Sequence, residues 1–277
     1  MILNSLAVLF LQLFTFEFYF FMRHLPNILT LANLFCGCIA ITFILGAQNF
    51  TTAFDINTYV EVPAIEQPYI GSIFILLAAL FDMLDGAAAR ALKIHSPIGK
   101  DLDSLADVVS FGVAPAMILF KMLWAAYMAE PEAMDTSLFL TTPALLVACF
   151  AALRLATFNQ SSGEQKNYFI GMPTPAIGLF VATFPLMQWQ RPLFIYFYKP
   201  WLLYAIILLL CWLMISKMRF FKFLPAQWDG KNLLPRIILL AGTGAAIPFL
   251  GWAASLVAMV LYILLSLLFK PKESLVA

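Results

Sequence analysis

Residues 82–107 read DMLDGAAARALKIHSPIGKDLDSLAD and hold five of the chain's fifteen carboxylates, in a protein that is 63% hydrophobic and only 11% charged. Soluble domains carry charge on roughly a quarter of their residues, so the composition describes an integral membrane protein whose acid is concentrated in one place. Ser96 followed by Pro97 marks a helix start, because serine can cap open N–H groups and proline at the first helical position has none to lose. The spacing therefore predicts two antiparallel helices joined by a turn over residues 90–95. On the incoming helix Asp82, Asp85, Gly86 and Ala89 are three or four apart and share a face; on the outgoing helix Gly99, Asp103 and Asp107 are four apart and share another. Asp101 falls off that stripe.

Each Asp costs roughly 2.5 to 3.5 kcal/mol to place near the centre of a spanning helix, and less toward the surface. Four unpaired carboxylates facing one another would repel or hold protons. Helix caps and surface salt bridges are one outlet, but the depth and spacing point instead to a bound cation. An all-oxygen set at this density suits a hard divalent ion, and Mg²⁺ combines one or two carboxylates with water and substrate phosphate. Two ions would balance the four charges. Glycine on each face would let the helices, or a ligand's phosphates, come close.

Apolar runs of about 20 residues, enough to cross a hydrocarbon core, fall near 28–48, 69–92, 104–128, 138–158, 173–190, 198–216, 236–250 and 251–269. They predict eight helices, the last two joined by a tight turn near Pro248 and Gly251. Alternate connections hold thirteen of the sixteen Lys and Arg, whereas 49–68 and 129–137 carry acids without a cation. By the positive-inside tendency, residues 82–107 are expected at the cytoplasmic side of the cell (inner) membrane. Cys36, Cys38, Cys149 and Cys211 lack paired spacing and read as buried thiols; His24 and His95 are isolated, so no histidine-ligated metal is expected. Residues 1–21 are an apolar run without a basic start, unlike a secretory signal. They are either an extra anchor or an extension upstream of a natural start at Met22.

Asp82-x-x-Asp85-Gly86-x-x-Ala89-Arg90, eight residues, then Gly99-x-x-x-Asp103-x-x-x-Asp107 resembles the signature of the CDP-alcohol phosphotransferase family at every fixed position. The resemblance covers about residues 22–225 and implies an all-α polytopic fold with a six-helix core there; the apolar runs add two further transmembrane helices at 226–277. It implies that Asp82, Asp85 and Asp103 bind metal, either Mg²⁺ or Mn²⁺. Asp107 would help bind metal or act as base, and Asp82, Gly86, Ala89, Arg90 and Gly99 would shape the nucleotide site. The reaction implied moves a phosphatidyl group from CDP-diacylglycerol to an alcohol, with release of CMP. "LPNILTLAN", residues 25–33, resembles the family's first core helix, where Asn27 and Thr30 would lie near the nucleotide or would only cap the helix.

"ALRLATFN" (152–159) and "FIGMPTP" (169–175) resemble stretches of bacterial and archaeal phosphatidylserine synthases. Arg154 could pair with a serine carboxylate or a phosphate, or serve as a positive-inside anchor. Asn159 could hydrogen-bond a substrate or be an ordinary helix-end residue. Thr157 stands where the family usually has a second basic residue. Gly171, Pro173 and Pro175 read as the start of the next helix, whose N-terminus could favour anions. "SKMRFFKF" (216–223) loosely resembles a basic-aromatic stretch of the same enzymes, or is an interfacial belt. The expected partners are CDP-diacylglycerol, L-serine and membrane lipids, with no nucleic acid; the resemblance also implies a homodimer. Two rivals stand beside this: another acceptor such as glycerol 3-phosphate or an inositol phosphate, for which Arg154 and Lys166 are a thin set of cations, and a cation transporter.

Overall fold

The structure is a computed structural model describing residues 2–46, 53–55, 58–60, 68–93, 97–128, 137–161, 168–191, 199–222 and 230–269. Helix α1 runs unbroken over Ile2–Gly46, through Met22 and Pro26. A short hairpin, β1 (Ala53–Asp55) against β2 (Thr58–Val60), precedes α2 (Pro68–Leu92). Lys93, with φ of 53°, ends that helix. Ser96, expected as the cap of the next, lies outside the described residues. Helix α3 (Pro97–Asp107) passes through a π-helical turn (Val108–Val113) into α4 (Ala114–Met128), so the expected third span begins a full two turns earlier than its apolar run.

A 3₁₀ stretch (Leu138–Leu145) leads into α5 (Leu146–Ser161). Strand β3 (Tyr168–Ile170), α6 (Thr174–Gln190), α7 (Pro200–Ile215) and β4 (Arg219–Phe221) follow. The chain then forms α8 (Gly230–Leu250), a 3₁₀ turn and α9 (Ala254–Leu268). The turn expected between the last two helices is present, with Gly251 at φ of 58°, a value that glycine adopts without strain.

This is an all-α polytopic membrane fold. Among the described residues, five helical stretches are long and apolar enough to cross a membrane by length and composition. Helices α6 and α7, with 17 and 16 residues, rise only about 25 Å, a little under a typical hydrocarbon core. Large apolar side chains face outward, among them Phe35, Phe139, Trp201, Leu208 and Phe249, as lipid contact requires. The hairpin β1–β2 and the long-range ribbon β3–β4 were not expected, because three-residue strands leave no readable alternation.

Small residues set the packing. A Cβ on Gly71 would lie 2.6 Å from Ile44 Cγ1 and 2.9 Å from the Ala40 carbonyl, so α1 and α2 meet almost backbone to backbone. On Gly178 it would lie 2.9 Å from Phe111 Cα, which seats the π turn against α6. In a membrane, where lipid tails compete with any apolar side chain, this close approach is what makes helix association favourable. The core that results, with Ala40, Ile75, Ala78, Phe111, Leu119, Ile177 and Val181 all fully buried, fixes α1, α2 and α3 around one end of the bundle.

Candidate active site

Asp82 and Asp85 leave α2, Asp103 leaves α3, and one oxygen from each lies within 4.8 Å of the others. The two predicted stripes therefore meet. Asp85 is buried, Asp82 and Asp103 half-buried, and Asp101 exposed. Three carboxylates this close are unfavourable unless a cation joins them, and oxygen-only donors are the chemistry of Mg²⁺ or Mn²⁺. Beside them Gly86 is open: an added Cβ would touch only Arg90 Nη1, at 3.4 Å. Arg90 is exposed, with Ala89 half-buried next to it. Gly99 sits one turn before Asp103, half-buried.

Asp107, one turn beyond Asp103 and 7% exposed, is buried like Asp85 and is not one of the three clustered ligands. It remains within Coulombic reach of Asp82, Asp103 and Asp85. Its Oδ1 accepts a hydrogen bond from Asn33 Nδ2 at 3.3 Å. Thr30 Oγ1 lies 2.7 Å from Asp85 Oδ2 and 3.0 Å from the Pro26 carbonyl, so its single proton is shared between two acceptors. Helix α1 thus presents one buried row, Pro26, Thr30, Asn33 and Gly37. A Cβ on Gly37 would collide with Ser110, whose hydroxyl donates to the Asn33 carbonyl at 3.1 Å. Asn27 is half-buried one turn before Thr30. Sequence reasoning overlooked Asn33, although its spacing from Thr30 and Gly37 carried the signal.

Arg154 of α5 is 6% exposed. Nη1 donates to Thr174 Oγ1 at 3.4 Å, at the first residue of α6. Among the described residues, its Nε and Nη2 are buried with no hydrogen-bond partner. The guanidinium lies over the rings of Phe158 and Phe169, at 5.1 and 5.5 Å, and within Coulombic reach of Asp107. A buried guanidinium with two idle donors is costly. It offers a fork to a carboxylate or phosphate.

The Gly171 to Pro175 stretch behaves as a helix start. Gly171 has φ of 73° and packs on the Met214 carbonyl, and extended Pro173 opens α6. Asn159 does not stand open: its Nδ2 donates to Ser104 Oγ at 2.7 Å, and its carbonyl accepts from Lys100 Nζ at 3.0 Å. It ties the end of α5 to the helix carrying Asp103. Thr157 is exposed and bonds back to the Leu153 carbonyl at 2.9 Å. Lys166 lies outside the described residues.

Strand β4 pairs antiparallel with β3, Phe169 opposite Phe220. This brings Lys222 Nζ to 4.9 Å from the Phe169 ring centroid, on the ring that Arg154 also contacts. Partial burial holds the Lys222 ammonium below the usual lysine range.

The sequence model described as CDP-alcohol phosphatidyltransferase matches residues 23–216. Over 218 residues the chain is 30% identical to a protein of Helicobacter pylori named CDP-diacylglycerol–serine O-phosphatidyltransferase, covering 78% of this chain and 79% of that one. A Bacillus subtilis protein of the same name is 30% identical over 200 residues, 72% of this chain and 90% of the relative. The archaetidylserine synthase of Methanothermobacter thermautotrophicus is 38% identical over 117 residues, 41% and 45% of the two chains. With a match over most of its length and with its acidic stripes converging as that signature requires, the chain belongs to the CDP-alcohol phosphatidyltransferase family.

Proposed function

We propose that the protein transfers a phosphatidyl group from CDP-diacylglycerol to the hydroxyl of L-serine, giving phosphatidylserine and CMP. The observation that carries this reading is buried Arg154, with two idle donors, within Coulombic reach of Asp107, which in turn lies within reach of the three clustered carboxylates. The names of the similar proteins from Helicobacter pylori and Bacillus subtilis support the same donor and acceptor.

Asp82, Asp85 and Asp103, with Asp107 behind them, are the residues that would hold divalent metal; two ions would match their charge. When bound, Mg²⁺ or Mn²⁺ neutralises the donor's diphosphate and the charge developing on the leaving nucleotide. Thr30 orients Asp85. The open surface at Gly86 and Ala89 admits the diphosphate, Arg90 supplies a charge at its edge, and Asn27 and Gly99 line the nucleotide side. Arg154 takes the carboxylate of serine in a two-point grip, which turns the serine hydroxyl toward Asp107. The serine oxygen then bonds to the phosphorus bearing the diacylglycerol, the diphosphate P–O bond breaks, and CMP departs with that electron pair. Asp107, oriented by Asn33, accepts the hydroxyl proton. Holding the two reactants in line supplies much of the acceleration.

Acyl chains left in lipid and a nucleotide at the membrane surface fit a site at one end of the bundle, and the cationic connections support a reading in which that end faces the cytoplasm. Purified full-length protein in detergent, given CDP-diacylglycerol, Mg²⁺ and labelled serine, is expected to release CMP and form labelled phosphatidylserine. Release of CMP only with glycerol 3-phosphate or an inositol phosphate would transfer the acceptor assignment. Absence of CMP with every alcohol, together with cation flux in liposomes, would replace the enzyme by a transporter.

A further inference from the structure

The match to the family ends at residue 216, yet the chain continues through β4, α8 and α9. A plain membrane anchor needs only an apolar surface. This helix pair instead makes polar contacts at both of its ends. At the turn, Trp252 N–H donates to Gln190 Oε1 at 2.8 Å, Arg191 Nη2 donates to the Phe249 carbonyl at 3.1 Å, and the Thr183 and Ser255 hydroxyls lie 2.7 Å apart. These bonds fasten the pair to α6.

At the other end the pair grips a strand. Arg236 of α8, 8% exposed, donates from Nε and Nη2 to the Lys222 carbonyl at 3.0 and 2.7 Å. The Tyr262 hydroxyl of α9 donates to the Phe221 carbonyl at 3.0 Å, and its ring packs edge-on against Phe221, 4.9 Å between centroids. Both carbonyls fall where β4 leaves its ladder with β3, whose pairing ends at Phe221. Without these donors the residue after the strand would have no neighbouring strand to fix it. That residue is Lys222, whose ammonium shares the Phe169 ring with Arg154. The shared ring sets the Lys222 ammonium and the Arg154 guanidinium in one neighbourhood, and two cations held there suit an anion with two oxygens.

We propose that α8 and α9 are positioning elements of the acceptor site: Arg236 and Tyr262 hold the end of β4 so that Lys222 joins Arg154 in binding the acceptor's carboxylate. This rests on the serine reading above.

The test measures KM for serine, KM for CDP-diacylglycerol and kcat on full-length protein in detergent. Lys222→Met is expected to raise the serine KM on the order of tenfold, the loss of one charge-assisted contact. Tyr262→Phe, which keeps the ring and removes the hydroxyl, is expected to raise it about threefold, with the donor KM within about twofold of wild type. Ser255→Ala, at the far end of the same helix pair, is expected to change neither constant. Because Tyr262 acts through Lys222, adding Tyr262→Phe to Lys222→Met is expected to raise the serine KM no further. Additive effects, an equal rise in donor KM, or a lowered melting temperature with unchanged serine KM would overturn the clamp alone. A wild-type enzyme that releases CMP without any dependence on serine would overturn the acceptor reading and the clamp with it.

Discussion

The acidic and the basic halves of the site are built in opposite ways. Asp82, Asp85, Asp103 and Asp107 come from one continuous stretch, on two helices whose periodicity alone turns them toward each other. The basic half is assembled from distant pieces: Arg154 on α5, Phe169 on β3, Lys222 after β4, with Arg236 and Tyr262 behind them. The first is organised by local geometry, the second by tertiary contact. On the proposed reading, the phosphatidyl transfer rests on the former and the choice of acceptor is adjusted through the latter. Changes in the acidic half should therefore strike turnover itself, and changes in the basic half should strike the acceptor's binding.

Replacing Asp85 or Asp103 by Asn should lower kcat on the order of 10²- to 10³-fold, the scale of losing a group that stabilises transition-state charge. The loss should be equal with every alcohol acceptor. Arg154→Ala should raise the serine KM roughly 10- to 100-fold through the loss of a charged, two-point contact, with the donor KM little changed; an unchanged serine dependence would remove Arg154 from the acceptor site. Thr30→Val removes a hydrogen bond that orients a ligand, and should raise the Mg²⁺ concentration for half-maximal CMP release about tenfold. Asp101→Asn should leave all rate constants within about twofold of wild type, as expected of an exposed surface side chain. Equal damage from Asp101→Asn and Asp103→Asn would break the distinction between on-stripe and off-stripe acids.

The legibility of each half follows from the same contrast. Spacing by three and four is written along the chain, so the faces holding Asp82, Asp85 and Asp103 could be placed before any coordinates, and Asp101 set aside. Ser110, Gly37 and Asn33 show where that reasoning stops: the buried row on α1 is periodic, but its meaning depends on the π turn that carries Ser110 toward it. A π turn has no strong sequence marker. Phe169 and Lys222 each fall in a stretch the sequence singled out, but their meeting was hidden for another reason. They meet across a three-residue ribbon, too short for alternation to register, and closing it depends on α8 and α9, whose apolar sequence conceals the two polar side chains that matter. Helix α1 is continuous through Met22, and the family match begins at residue 23.

The central claim, that α2 and α3 bring their acids to one point where divalent metal binds, is tested most directly by equilibrium binding of Mn²⁺ to the purified full-length protein, followed by electron paramagnetic resonance. Saturable binding is predicted for the wild type and for Asp101→Asn, and its loss for Asp103→Asn. The same binding in all three proteins, or none in the wild type with CDP-diacylglycerol present, would contradict it.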